Sequence, residues 1–116
     1  MNAATRSADD TPQVHDLKEM LHYQDKSIVS RMLVKNTGGS VTLFAFDSGE
    51  GLSEHTAPFD ALVIAVDGRA DISISGKPFS VEAGQTLVLP AGLPHAVNPV
   101  GRFEMLLVMI RGDRNA

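Results

Sequence analysis

Hydrophobic residues recur along the chain in short segments rich in β-branched and aromatic side chains, with turn-forming residues between them. Segments of this kind are typical of β-strands. They lie at 27–34, 41–46, 59–66, 69–75, 78–81, 86–89 and 103–110. With these short strands at near-regular spacing and no convincing long helix, the pattern predicts an all-β sandwich or barrel.

Turn-forming residues separate these segments. The strongest turn signal is Asp67-Gly68, which predicts a tight hairpin between two of the strands. Gly76-Lys77 is expected to form the next turn. The polar stretch before 59–66 and the proline- and glycine-rich stretch before 103–110 are both predicted to be loops.

The two ends of the chain carry small and polar residues. Residues 1–13 are predicted to be a disordered tail and 112–116 a polar tail, which leaves 14–111 as a single domain. The pair Thr11-Pro12 is of the kind that begins a helix, and a short helix here would place Leu17 and Leu21 at helical spacing. An extended arm fits the same residues equally well.

Two of the predicted strands, 59–66 and 103–110, are apolar on both faces. Successive side chains of a strand point to opposite faces, so each of these strands must be covered on both sides. A small barrel covers only the inner face. The outer face must meet the N-terminal segment or a second copy of the chain, and the pattern therefore predicts a homodimer.

Composition narrows the possible partners and locations. The chain has 116 residues and a net charge of −4 without a basic stripe, which argues against binding to nucleic acid or to an anionic membrane surface. It has no cysteine, and this excludes thiolate metal sites and fits a reducing compartment. Because the sequence shows no apolar run of membrane-spanning length and no apolar core like that of a signal peptide, the expected location is the cytoplasm.

Glycines, prolines and histidines occur in two ordered sets that resemble the two motifs of the cupin superfamily. The set that resembles the first motif is Gly49, His55 and Gly68. The set that resembles the second motif more completely is Gly84, Pro90, Ala91, Gly92 and His95. The resemblance implies a double-stranded β-helix, a jelly-roll barrel, with both histidines directed into an internal pocket.

The same resemblance implies a depleted metal site. In metal-binding members of the family, the first motif supplies a second histidine and a carboxylate or glutamine, and these positions fall on Ala57 and Ala61. A methyl group cannot coordinate a metal, so no tight metal binding and no cofactor are expected. The alternative is a weakly held Mn, Fe, Ni, Cu or Zn ion on His55 and His95. Asp60 is next to Ala61, on the opposite face of the strand, and would reach the pocket only through a bulge.

Three functions remain open on these grounds. The leading hypothesis is a binding protein that holds a small organic molecule at His55 and His95, with Ala57 and Ala61 on the same pocket wall. The second is a metal-dependent dioxygenase, isomerase or decarboxylase that uses the two surviving histidines. The third is a metal-free isomerase or epimerase with one histidine as its base. The absence of two metal-coordinating side chains favours the binding protein over the metal-dependent enzyme, although one fold hosts many functions.

Overall fold

A computed structural model gives the structure of residues 11–112, and these residues form mainly antiparallel β-strands. The predicted all-β fold is confirmed. The predictions for tails at 1–10 and 113–116 lie outside the described residues. In chain order the elements are α1 (Leu17–Met20), β1 (Ile28–Asn36), β2 (Gly39–Phe46), β3 (Leu52–His55), β4 (Asp60–Ile74), β5 (Lys77–Glu82), β6 (Thr86–Leu89) and β7 (His95–Ile110).

The two longest strands, β4 and β7, pair antiparallel from one end to the other. Strands β5 and β6 attach to the free edge of β4, and β2 and β3 attach to the free edge of β7. The ladder is interrupted between Ala65 and Arg69, where the ribbon bends. Residues from both halves of β4, such as Val63 and Ile72, then meet in one buried core. The result is a two-layered barrel.

The predicted hairpin at Asp67-Gly68 is wrong, because β4 continues through both residues. Gly68 does have positive φ, at 77°. It uses this conformation in the irregular part of the β4–β7 ladder, where a Cβ atom would lie 2.1 Å from the carbonyl oxygen of Arg102. The Asp-Gly signal thus indicated the backbone conformation correctly and the type of structure incorrectly.

Both predicted loops also contain strand. β3 lies within the polar stretch before β4, and β7 begins at His95, inside the proline- and glycine-rich stretch. The turn expected at Gly76-Lys77 is shifted by one residue to Ser75-Gly76, both with positive φ. The described part of the chain therefore reaches its barrel shape with two long bent strands, β4 and β7, beside five shorter ones.

Alternation along β4 and β7 separates an inner from an outer face as predicted. Ala61, Val63 and Met105 are buried in the core. On the outer face, five apolar residues align across five strands in one row, and we call this the outer row. From edge to edge it consists of Val34, Val41, Val108, Leu62 and Val88. Its two ends, Val34 and Val88, are 55 % and 53 % exposed.

From residue 11 to β1, the described part of the N-terminal segment contains one short helix and contacts the outside of the ribbon. Tyr23 donates a hydrogen bond of 2.5 Å to Oδ2 of Asp67, and Lys18 Nζ lies 3.7 Å from Oδ1 of the same carboxylate. Of the described helices, none is long and apolar enough to cross a membrane. The short helix that the sequence allowed in this segment is present, and it is confined to Leu17–Met20.

Glu104 lies opposite Asp67 in the ladder, so two carboxylates are neighbours on adjacent strands. It is 3 % exposed, and within the described residues its Oε2 has no hydrogen-bond partner. Burial raises the pKa of Glu104, and the nearby Asp67 carboxylate raises it further, while Lys18 and His22 oppose the shift. Ionised Glu104 therefore costs stability at neutral pH.

We expect Glu104→Gln to stabilise the protein at pH 7 by about 1 kcal/mol, or roughly 5 °C in Tm. The folded-state pKa lies above the ordinary value of 4.5, so the wild type loses stability as pH rises from 4.5 through the raised pKa. Below 4.5 the wild-type carboxyl is protonated in both states, and the gain should vanish. Thermal melts from pH 4 to pH 8 measure this, with the exposed Glu82→Gln as control. A gain that persists at pH 4 would contradict the explanation.

Candidate functional site

Two histidines face each other across a pair of antiparallel strands. His55 ends β3, His95 begins β7, and the two are direct partners in the ladder. Their ring centroids are 4.4 Å apart, and their planes are inclined by 70°. The close approach of β3 depends on Gly51, where a Cβ atom would lie 2.5 Å from the carbonyl oxygen of Val97. Strand pairing thus brings together two residues that are far apart in the chain.

These histidines form one end of a cavity of about 210 Å³ inside the barrel. His55 is exposed, whereas His95 is 7 % exposed, so the cavity opens to solvent on the His55 side. The remaining wall is apolar. It consists of Leu52, Ala57, Phe59, Ala61, Leu89, Val97, Met105, Leu107 and Met109. The two imidazoles are therefore the polar groups of an otherwise hydrophobic pocket.

Hydrogen bonds to the backbone determine which imidazole nitrogen carries the hydrogen. Nδ1 of His55 lies 2.9 Å from the carbonyl oxygen of Ser53, and Nδ1 of His95 lies 3.2 Å from that of Leu93. A carbonyl oxygen only accepts hydrogen bonds, so each Nδ1 must donate. In the neutral form of both rings, Nε2 then carries a lone pair.

His95 is held in this neutral form. Burial disfavours the charged imidazolium and is the largest cause of its lowered pKa. The hydrogen bond to Leu93 opposes the shift, and the neighbouring His55 adds to it. His95 thus presents an uncharged, basic nitrogen at neutral pH.

The structure brings His55, His95, Ala57 and Ala61 together at one cavity, in the arrangement that the motifs implied. Whether these residues bind a ligand stays a prediction. Asp60 does not line the cavity, and its Oδ1 accepts a hydrogen bond of 2.9 Å from the backbone N–H of Ala91. Its position on the opposite face follows from strand alternation, as expected.

Sequence reasoning missed part of the apolar wall. Leu52 and Val97 line the cavity but lie in stretches that were predicted to be loops. Phe59, Met105 and Met109 lie in the two strands that were predicted to be apolar on both faces, and nothing in that pattern separates a pocket wall from a filled core. Leu52 and Val97 come together through the pairing of β3 with β7. Because that pairing joins segments far apart in the chain, no local sequence pattern indicates it.

The residues present do not fit the four-ligand metal centre of the motif's metal-binding relatives. Two Nε2 lone pairs are available, but the other two positions carry the methyl groups of Ala57 and Ala61. Among residues 11–112, no group of three or more His, Cys, Asp or Glu side chains could hold a metal ion. Protein sites for transition metals ordinarily use three or more side-chain ligands.

Comparison with known proteins agrees with this geometry. A family model described as a cupin domain matches residues 42–111. A Streptomyces cyaneus protein named polyketide synthase CurC is 29 % identical over 103 residues, which cover 84 % of this chain and 67 % of that protein.

Solved structures show the same fold at higher identity. A conserved Streptococcus pyogenes protein of unknown function is 37 % identical, with a TM-score of 0.82 over 87 % of this chain and 89 % of its own. A conserved barrel domain protein of the Cupin 2 type from Leptotrichia buccalis is 42 % identical, with a TM-score of 0.80 over 84 % of this chain and 47 % of its own.

We expect the double variant Ala57→His/Ala61→Glu to bind divalent metals much more tightly than the wild type. One imidazole and one carboxylate would join His55 and His95, and such nitrogen and oxygen donors suit several divalent metals from Mn to Zn. The larger side chains should lower metal-free stability by about 1–3 kcal/mol, and added metal should restore it by linkage.

Titration and thermal melts with and without metal measure both effects. Ala57→Leu/Ala61→Leu is the control, because it adds bulk without ligand atoms. Tight binding of one metal per wild-type chain would refute the depleted-site interpretation. If the double variant also fails to bind, its four side chains do not converge on one point.

Proposed function

The chain belongs to the cupin family, and on that premise we propose that it binds a small, largely apolar organic molecule inside the barrel. His55 and His95 would make the polar contacts, and Ala57 and Ala61 would form part of the apolar wall. The observation that carries the proposal is the composition of the cavity, in which two imidazoles face a wall of nine apolar residues. A pocket of this kind orients a ligand by its few polar groups and holds it by hydrophobic contact.

The size of the cavity limits the ligand. A volume of about 210 Å³ is below the usual range of roughly 300–1,000 Å³ for drug-sized pockets. An apolar cavity of about 150 Å³ already accommodates benzene. The proposed ligand is therefore a compound of one or two rings or an aliphatic compound of similar size. A Streptomyces relative is named a polyketide synthase, so small compounds of the polyketide class are sensible first candidates.

A metal-free isomerase or epimerase is the second candidate. It is supported by the unprotonated Nε2 of His95, which is buried, basic and directed away from its backbone partner. Such a nitrogen is suited to take a proton from a bound ligand. A metal-dependent enzyme has weaker support, because two of the four expected ligand positions are methyl groups. No cofactor is part of the proposal.

We also propose that the protein is a cytoplasmic homodimer. The outer row crosses five strands and is apolar throughout, although both of its ends are more than half exposed. Contiguous exposed apolar surface of this kind is characteristic of protein interfaces. A second copy would present the same row by two-fold symmetry. The absence of cysteine supports a reducing location.

We expect the cavity to bind naphthalene, and Ala57→Phe to weaken that binding by at least about tenfold, because the larger ring fills the space. Ala83→Phe, which makes the same change at an exposed position outside the cavity, should bind as the wild type does. Equilibrium fluorescence titration measures the affinities. If Ala57→Phe binds as well as the wild type, the ligand is not in this cavity.

For the dimer, we expect a buried area above roughly 2,000 Å² in total and a dimeric mass in sedimentation at micromolar concentration. Val88→Glu should produce monomers, since it places a charge at the end of the outer row. Ser80→Glu adds the same charge to an exposed position of β5, in the opposite layer, and should remain dimeric. A monomeric wild type would disprove the proposal.

A further inference from the structure

The polar end of the cavity accepts hydrogen bonds and cannot donate them. Both Nδ1 hydrogens are already used by the carbonyl oxygens of Ser53 and Leu93. What remains for a ligand is the Nε2 lone pair of each neutral ring. The other residues of the cavity wall carry no polar side-chain group apart from the weakly accepting sulfurs of Met105 and Met109.

Protonation of His95 does not readily change this polarity. His95 is almost completely buried, and the apolar wall around it opposes a positive charge. The ring of His55, whose centroid is 4.4 Å away, also disfavours a positive charge on His95. The lowered pKa of His95 is consistent with both effects.

From this geometry we infer that the ligand carries a hydroxyl group that donates its one hydrogen to Nε2 of His55 or of His95, as in a phenol or an enol. The inference rests on the proposed function, since it specifies the chemistry of the ligand at the same cavity. A ketone, an ether or a carboxylate has only acceptor oxygens. It would place a further acceptor beside the two Nε2 lone pairs that are already there. Such a ligand leaves all of these groups unsatisfied, which is the arrangement that buried sites reject most strongly.

One surface feature favours the opposite chemistry and has to be included in the test. The guanidinium of Arg111 lies 5.1 Å from the ring centroid of Phe59, which lines the cavity. A carboxylate ligand could use this cation if it bound near Phe59 instead of the histidines. The two possibilities place the polar group of the ligand at different positions, and matched ligands distinguish them.

The experiment compares four two-ring probes that differ in one substituent: naphthalene, 2-naphthol, 2-methoxynaphthalene and 2-naphthoate. The protein has no tryptophan, so the naphthyl emission can be followed directly. We expect 2-naphthol to bind the wild type at least about tenfold more tightly than its methyl ether. His55→Phe and His95→Phe each keep a ring and remove one acceptor, and the variant that removes the accepting nitrogen should lose that preference. If both variants keep the full preference, the donor inference is wrong.

A second measurement tests the hydrogen positions without any ligand. Nitrogen-15 NMR of the wild type should show both imidazoles as the Nδ1–H tautomer, and 2-naphthol should shift their Nε2 resonances. An Nε2–H tautomer at either histidine would overturn the inference even if one of the variants fails to fold.

The outcomes separate the two proposals. If all four probes bind equally well and Ala57→Phe blocks them, the apolar pocket stands and the donor inference is wrong. If 2-naphthoate binds most tightly and loses affinity in Arg111→Gln, the ligand is an anion and the donor inference is again wrong. If no probe binds, the proposed function fails, and the donor inference fails with it.

Discussion

The pairing of β4 with β7 runs the full length of both strands, and every other strand except β1 attaches directly to one of these two. A ribbon this long cannot remain flat, because strands twist and the ladder is broken between Ala65 and Arg69. The bend brings the two halves of the ribbon face to face. Closure of the barrel, the buried core and the cavity all follow from that one irregular pairing.

The same ribbon gives the barrel two different apolar surfaces. Inward-facing residues such as Ala61 and Met105 are small or flexible at the cavity and leave part of the interior open. Outward-facing residues continue the row from Val34 to Val88 across the sheet. A strand that is apolar on both faces is therefore used twice, once for a ligand-sized space and once for a surface that a second copy can cover.

Sequence patterns predicted the parts of this structure that depend on local alternation. The inner positions of β4, including Ala61 and Val63, follow from the period of two. The Asp67-Gly68 signal reported a positive φ, but whether that angle forms a hairpin or a bulge depends on the partner strand. The short, polar β3 has no local signal of its own, and only the motif resemblance placed His55 near His95. The tautomers could not be predicted, because they depend on the carbonyl oxygens of Ser53 and Leu93.

Among the described residues, two titratable side chains are buried, Glu104 and His95, and the fold accommodates them differently. Oε2 of Glu104 has no hydrogen-bond partner among the described residues, and the raised pKa of Glu104 reflects the free energy needed to bury its charge. His95 avoids that cost, since a neutral ring can be buried once its Nδ1 hydrogen is bonded. Its Nε2 lone pair remains available at a cavity whose other side chains are apolar. A ligand that excludes water from this nitrogen has to supply a hydrogen to it, because an acceptor left unsatisfied costs about 1–3 kcal/mol. On the inference proposed above, we therefore expect the cavity to prefer ligands that bring a hydrogen over ligands that bring a negative oxygen.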